Sequence, residues 1–393
     1  DSEDTNLKNE IKYSFSNDDS YLDISTLVYQ NLRNKKKSDQ YEYVLPNIIY
    51  GKTFFSEKFG TLNFKSSALY NKYETNKQKA FLTNDIVWNP LSNVTKNGFV
   101  STLQGMIRNT NYETKNTKNS DKHEEYKDGN IVKEISAVIA QKVSLPMKKD
   151  GTNFSNIFSP NFMVRLAPSH MRNLSSKNDI LDHNNLYSLN KTSEIESGLS
   201  AVLGFDFKIN KKINDKKEIE KLSVSLGQIF NHEKNRDRPS KSSLDQKMSD
   251  IVGNIEYNFS EIGKINYNFS VDHNINDINY NEISTELNFG KVQFNLDYLE
   301  EQNHVGTEHY ASPGITINFN DHNTLKFDTK KNFKTDSTEL YNLSYQYGID
   351  CLTAGVVYRR QFYQDSDTEP NDTLMFTITF VPFGAASSPT LAQ

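Results

Sequence analysis

The sequence is short of cysteine, tryptophan and long apolar runs. It contains one residue each of Cys and Trp, and hydrophobic residues make up 35% of its 393 residues. A soluble protein of this size generally carries more apolar residues, because it must fill a core. Mean hydropathy is -0.71, and no stretch approaches the roughly 18 apolar residues of a membrane-spanning helix. The composition therefore argues against a large soluble core and excludes a helical membrane protein.

An excess of basic charge is also missing. The chain has 45 Lys and Arg against 50 Asp and Glu, a net charge of -5, and this excludes a generally basic nucleic-acid binder. Its first ten residues contain no apolar signal region, so we expect either a cleaved leader or a C-terminal piece of a longer protein.

Motifs of known chemistry are absent as well. The sequence has no phosphate-binding loop, no zinc-protease helix and no serine-hydrolase elbow, and its eight histidines are scattered. We therefore predict no catalytic residues, no metal site and no cofactor.

Aromatic residues are plentiful and regularly spaced. The chain holds 24 Phe and 21 Tyr, far more than a disordered chain would carry. The stretch from Cys351 to Gly384 shows the pattern most clearly, because its final run places apolar residues at every second position. Those positions are Leu374, Phe376, Ile378 and Phe380. A period of two indicates a strand with two different faces.

The connections between such strands alternate in length. We count about 19 strands, and between residues 251 and 383 short turns such as 290–291 alternate with longer loops such as 300–313. Upstream, we expect a longer loop over residues 71–80. Short periplasmic turns and long extracellular loops are typical of outer-membrane barrels, whose strands need only one apolar face. The sequence therefore predicts an all-β fold, an antiparallel transmembrane outer-membrane β-barrel over residues 1–383, followed by an unstructured tail over residues 384–393.

The lone Cys351 lies in one of the predicted short turns. The strand order places that turn in the periplasm, which is an oxidising compartment. A buried single thiol would be inert, whereas an odd cysteine exposed in a turn favours a disulfide to a segment outside this chain. Both interpretations stay open at this point.

A series of short motifs is ordered along the chain as in one known family. They are NNLYSLNK at 184–191, ESG at 196–198, LSVSLGQIF at 222–230, YEYVLP at 41–46, RLAPSHMRNLS at 165–175 and YGIDCLT at 347–353, followed by the final strand. Together they resemble the LPS-assembly outer-membrane protein LptD, also described as the organic solvent tolerance protein family. The motif residues of the loop and strand are Asn185, Leu186, Ser188, Leu189, Asn190, Gly198, Gly227 and Gln228.

The resemblance implies a specific machine in the outer membrane of a Gram-negative bacterium. Members of the family have a 26-stranded barrel and an N-terminal periplasmic jelly-roll domain, so that domain and the first strands would be absent from this chain. Lipopolysaccharide (LPS) would be the substrate, outer-membrane lipid would surround the barrel, an LptE-like lipoprotein would plug it, and an LptA-like periplasmic bridge would deliver LPS through the missing domain. The protein would be a transporter and not an enzyme.

Two site assignments follow from the same resemblance. LPS would leave through a lateral gate between the first and last strands, and the last strand would contribute Leu374, Phe376, Ile378, Phe380 and Pro382. Pro382 would remove one backbone donor from that edge, although ordinary strand termination explains it equally well. Cys351 would pair with a cysteine of the periplasmic domain; the family often has two adjacent cysteines here, whereas Asp350 precedes a single one in this chain.

Two other classes of protein remain as alternatives. A porin-like passive channel of about 18–20 strands would show the same alternation. A soluble adhesin-like β protein would also be rich in strands, but its apolar side chains would point into a dry core.

Overall fold

The computed structural model consists almost entirely of β-strands. It describes residues 6–32, 40–74, 76–117, 126, 128–168, 171–175, 177, 179–214, 217–259, 262–302, 306–362, 371–380, 384–387 and 391–392. One short 3-10 helix spans Lys241–Ser243. Within these ranges, no helix is both long and apolar enough to cross a membrane.

Twenty-three strands are present in the described ranges. The nineteen that have eight or more residues are β1 (Asn6–Ser16), β2 (Ser20–Asn31), β3 (Tyr41–Ser56), β4 (Gly60–Tyr73), β5 (Lys77–Asn89), β7 (Val100–Lys115), β8 (Val132–Ser144), β10 (Phe154–Ala167), β11 (Gly198–Asn214), β12 (Lys217–Asn231), β13 (Ile251–Asn258), β14 (Gly263–Val271), β15 (Ile278–Asn288), β16 (Val292–Glu301), β17 (His309–Asn320), β18 (Asn323–Asn332), β19 (Ser337–Ile349), β20 (Leu352–Gln361) and β21 (Asn371–Phe380). The four short strands are β6 (Asn93–Val94), β9 (Met147–Asp150), β22 (Gly384–Ser387) and β23 (Leu391–Ala392). The predicted number of long strands is thus confirmed.

The chain divides into two compact units. Unit 1 comprises Asp1–Pro146, Pro160–Leu203 and Gln228–Ser249, and unit 2 comprises Met147–Ser159, Gly204–Gly227 and Asp250–Gln393. Strands β10, β11 and β12 contribute residues to both units.

Unit 1 is an antiparallel meander. Strands β1 to β5 pair in chain order, β5 pairs with β7, and β7 pairs with β8, which pairs with the second half of β10. The register between β3 and β4 shifts between Val44 and Asn47, because Pro46 cannot donate to the ladder. The long loop expected over residues 71–80 is wrong. Strands β4 and β5 run on to Tyr73 and from Lys77, and Glu74 and Asn76 adopt positive φ in a tight turn.

Unit 2 continues the antiparallel pattern. Strand β9 pairs with the first half of β10, and β12 to β21 pair in chain order. Short turns at 289–291, 321–322 and 350–351 alternate with longer connections such as 302–308 and 362–370. The predicted alternation of short and long connections is therefore confirmed.

The two faces of the strands differ in the way expected for a membrane barrel. In the second half of β10, Phe162, Val164 and Leu166 are about two-fifths exposed, whereas the alternate residues Arg165 and Ala167 are buried at 2% and 0% exposure. Strand β21 likewise exposes Phe376, Ile378 and Phe380. An exposed apolar face opposite a buried polar one is the reverse of a soluble core. The adhesin-like alternative is thereby disfavoured.

The C-terminal tail differs from the expectation of an unstructured segment. Gly384–Ser387 and Leu391–Ala392 form strands that pair with β21. The second edge of β21 offers backbone donors and acceptors as a template for any nearby backbone, and this accounts for the difference at these residues.

Candidate functional site

A long connection between β10 and β11 lies against the polar face of unit 1. We call its residues 171–197 the inner segment. Its apolar side chains are buried, with Leu174, Leu181 and Leu186 at 2% exposure or less. Ile195 of the inner segment and Ala167 at the end of β10 join a buried cluster with Met106 of β7 and Val138 of β8, and Leu189 packs against that cluster.

The motif residues of the inner segment build its turns. Asn185 and Asp182 each donate a backbone N–H to the other's side-chain oxygen, at 2.7 and 3.0 Å, and the Asn185 amide also donates to the carbonyl of Ile180. The backbone N–H of Ser188 then donates to the carbonyl of Asn185. Local side-chain bonds of this kind hold a loop without regular structure. The polar motif residues therefore fix the shape of the segment, and Leu186 anchors it.

Arg165 connects the inner segment to strand β10. Its guanidinium donates to the carbonyl of Leu189 and, at 3.1 Å, to the side-chain oxygen of Asn190. The Asn190 amide in turn contacts the sulfur of Met106 on β7 at 3.5 Å. The alternation of β10 directs Arg165 to the buried face, where a guanidinium needs such acceptors.

Glu196 supplies the negative charge among three buried cations. It is 5% exposed, and one carboxylate oxygen accepts the backbone N–H groups of Lys191 and Thr192 at 2.6 and 2.8 Å. Arg165 and Arg238 lie in the same electrostatic environment. Burial lowers the pKa of Lys191 to about 8, because desolvation and the positive charge of Arg165 outweigh the attraction of Glu196.

A second ionic cluster fastens the inner segment to β5, β7 and β8. Arg108 forms a bidentate pair with Asp85 at 2.7 and 2.9 Å and contacts Glu194 at 3.1 Å. Arg172 reaches Glu194 at 3.0 Å and Glu134 at 2.5 Å. These side chains are largely buried, and paired charges of this kind are stable only when each finds a partner.

Tyrosine rings cover this second cluster. The Arg172 guanidinium lies 4.7 Å from the ring centroid of Tyr126, and Tyr126 packs edge-on against Tyr112 and Phe81 at 4.8 Å. Cation–π contacts add to the ion pairs where solvent is excluded.

The remaining motif residues occupy three different positions. Gly198 begins β11 with φ +113°, and a Cβ there would lie 3.0 Å from the Arg238 guanidinium, which donates to the carbonyl of Ser197. The side chain of Gln228 donates to the carbonyl of Ser249 at 2.8 Å. Gly227 is buried and lies opposite Val252 in the β12–β13 ladder. Gly198 and Gln228 thus hold the ends of the inner segment and of the β12–β13 connection.

The predicted gate strand is β21. It pairs along its whole length with β20. Its second edge pairs at Thr377–Phe380 with β22 and at Thr373–Leu374 with β23. Pro382 lies outside the described residues.

Cys351 lies in the two-residue turn between β19 and β20, and its side chain is exposed and unbridged. The predicted turn position is correct. No group of three or more His, Cys, Asp or Glu side chains is arranged to hold a metal ion in the part of the chain that the structure describes.

The ionic clusters were not predicted from the sequence. Arg108 and Glu134 each lie on strands at positions that alternate with apolar residues. A charged residue at such an inward position indicates a buried ion pair. The partners of Arg108 and Glu134, which are Glu194 and Arg172, lie in a connection without periodicity, so the sequence does not predict where that connection runs.

Comparisons with known proteins gave solved structures and one family. None of the curated proteins matches the chain. Similar solved structures include the siderophore receptor PirA from Acinetobacter baumannii, which is 8% identical in sequence. The match covers 95% of this chain and 71% of the receptor, with a TM-score of 0.43. A variant of the ferric enterobactin receptor from Pseudomonas aeruginosa in complex with enterobactin has 7% identity, coverage of 95% and 73% and a TM-score of 0.42.

One family matches the sequence itself. The family described as LptD, LPS transport system D, matches residues 1–318, most of the chain. The matched range includes both ionic clusters and every motif residue of the inner segment, whereas Cys351 and β21 follow it. The resemblance in the motifs is therefore confirmed: the chain belongs to the LptD family of antiparallel outer-membrane β-barrel proteins, which act in LPS transport and assembly in Gram-negative bacteria.

Proposed function

We propose that residues 1–383 supply the C-terminal part of an LptD barrel that inserts LPS into the outer leaflet through a lateral gate. The observation that carries this proposal is the position of β21 among the described residues: one edge pairs along its whole length with the long strand β20, whereas the strands that pair with its other edge, β22 and β23, have four and two residues.

The chemistry of LPS requires such an edge. The sugar head needs a wet path along the polar faces of the strands, whereas the acyl chains must pass between strands into hydrocarbon. Unpaired backbone groups in hydrocarbon cost several kcal/mol each, so a fully bonded ladder would not open. A strand whose second edge is held by short strands, and not by a long one, lowers that cost.

The side chains of β21 suit both environments. Phe376, Ile378 and Phe380 are exposed on the apolar face, and Thr377 and Thr379 occupy the alternate positions. We assign Leu374, Phe376, Ile378 and Phe380 to the lipid-facing side of the gate. Pro382 would remove a further donor beyond the described end of β21.

The partners follow from the same proposal. An LptE-like lipoprotein would plug the barrel, and an LptA-like bridge would deliver LPS to an N-terminal periplasmic domain. The exposed thiol of Cys351, in a short turn, is available to a cysteine of that domain. Its exposure supports a disulfide over the inert buried thiol.

Site-specific photo-cross-linking in living cells tests the gate. A photoreactive amino acid replaces Thr377 of β21 or, as a matched control on a strand distant in sequence, Ser284 of β15. We expect LPS adducts several-fold stronger at Thr377 than at Ser284. Equal adducts at both positions would contradict a gate at β21. Absence of adducts together with solute-permeable liposomes would favour the porin-like channel.

A further inference from the structure

A groove lies on unit 2, at those ends of the strands that the short turns connect. Its walls are Phe154 of β10, Ile209 of β11, Leu222 of β12 and Tyr257 of β13, and its volume is about 530 Å³. That volume lies within the range of about 300–1,000 Å³ typical of small-molecule sites.

The groove lies on the apolar, exposed face. Phe154 and Tyr257 are each 46% exposed, and Leu222 is directly opposite Tyr257 in the β12–β13 ladder. On the same face, Phe158 packs against Phe205 with ring centroids 5.5 Å apart. In an outer-membrane barrel this face contacts lipid.

Cationic side chains interrupt this apolar face at the groove. Lys211 lines it and shares the face of Ile209 by the two-residue period of β11, and Lys221 lines it from β12. The Lys221 ammonium donates to the carbonyl of Asn258 at 3.2 Å. Lys149 of β9 lies opposite Asn156, which is also a lining residue, so a third cation borders the groove.

Among the described residues, Lys211 differs from its neighbours because it has no acidic partner. Lys208 and Lys212, on the other face of β11, pair with Glu220 at 2.6 Å and Asp150 at 3.1 Å. In the described ranges, no carboxylate lies within ion-pair distance of Lys211. A cation on a lipid-facing surface is costly in hydrocarbon but stable at the headgroup level, where phosphate compensates it.

We propose that this groove binds one phospholipid with a net anionic headgroup. The phosphate lies at Lys211 and Lys221, and the glycerol and upper acyl chains lie along Phe154, Leu222 and Tyr257. The charge complementarity at Lys211 selects the headgroup, and the apolar walls select a lipid over a free phosphate ion. The site is independent of how LPS moves and of the gate at β21.

Native mass spectrometry of the full-length protein in detergent tests the site, with phosphatidylglycerol and phosphatidylcholine as probes. We expect one tightly retained phosphatidylglycerol, with an affinity about fivefold lower in Lys211→Gln and lower again in Lys211→Gln/Lys221→Gln, since a lysine at an anionic lipid surface contributes about that factor. Leu222→Trp, which fills the groove without changing charge, should also weaken retention. Millimolar inorganic phosphate should not displace the lipid.

Lys291→Gln is the matched control. Lys291 lies in another short turn of unit 2 and donates to the carbonyl of Phe319 at 3.2 Å, much as Lys221 does to Asn258. Retention should be unchanged in this variant, and the heat-modifiable mobility of each variant on gels verifies its fold. Equal retention of the two lipids, or wild-type retention in both Lys211→Gln and Leu222→Trp, would overturn the proposal, and displacement by inorganic phosphate would show a simple anion site.

Discussion

Replacement of Glu196 by Gln tests whether buried charge holds the inner segment in place. The substitution keeps the size of the side chain and one oxygen that can accept the N–H groups of Lys191 and Thr192. It removes the negative charge from a site where Arg165, Lys191 and Arg238 are 2%, 7% and 4% exposed. The three cations then lose the carboxylate that compensates them.

The expected cost can be worked out from these contacts. Removal of one partner from a buried charge pair costs about 3–5 kcal/mol, and the low end applies because both hydrogen bonds retain an acceptor and because the cations interact with Glu196 only electrostatically, without a direct ion pair. The inner segment can open without unfolding the strands, so the cost should appear as local opening. About 3 kcal/mol corresponds to a rise of roughly a hundredfold in the open population.

Hydrogen–deuterium exchange of the full-length protein in detergent measures this opening peptide by peptide. We expect amides of residues 180–197 to lose protection by about two orders of magnitude in Glu196→Gln, while β13 to β20 remain protected. Glu233→Gln serves as the control, since the side chain of Glu233 is 80% exposed and the chemical change is identical. Protection of residues 180–197 within threefold of wild type would refute the role of Glu196.

Three further outcomes are expected. The pKa of Lys191 is lowered from 10.5 to about 8, so the open segment binds more protons than the closed one between these two pH values. The free energy of local opening should therefore rise as pH increases from 8 to 10.5, by at most about 3 kcal/mol. Hydrogen exchange corrected for intrinsic rates measures this free energy, and Lys191→Gln should remove its pH dependence. Gly198→Ala, at φ +113° and close to Arg238, should destabilise the closed inner segment by about 1–2 kcal/mol. Gly348→Ala, where a Cβ would make an ordinary contact with Thr353 at 3.7 Å and φ is not positive, should have no effect in the same exchange experiment. In the full-length protein, Cys351→Ser should abolish the oxidised species on non-reducing gels, and an unchanged species would show that Cys351 is not in the disulfide.

The strands could be predicted from the sequence because each carries its own signal. Phe376, Ile378 and Phe380 occupy alternate positions that only a strand places on one face. The same local rule located Cys351 in a turn. Where propensity and turn chemistry competed, as at residues 71–80, the boundaries were wrong, since the pairing of β4 with β5 extends the ladder to Tyr73 and Lys77.

The inner segment could not be predicted in this way. Its residues 180–197 have no periodicity, and its position depends on contacts with residues far away in the chain, such as Arg108 with Glu194 and Arg172 with Glu134. Motif resemblance singled out Asn185 to Asn190 and Gly198 without a physical reason. The structure gives the physical reason: these residues form the turns or lie at the end of a connection that covers a polar face.

The two ionic clusters differ in what they demand of the inner segment. The Arg108–Glu194–Arg172–Glu134 cluster has two cations and, with Asp85, three carboxylates, so each charge has an opposite neighbour. Around Glu196, three buried cations lie near Glu196 and the partly buried Asp179, which interacts electrostatically with it, so positive charge is still in excess, and desolvation together with the charge of Arg165 lowers the pKa of Lys191. A site with surplus buried positive charge is less stable closed than a neutral one, and an approaching anion would relieve it. The residues bonded to Glu196 should therefore open at lower free energy than Arg172 at the other end of the inner segment, and exchange should begin near Lys191 before it reaches Arg172.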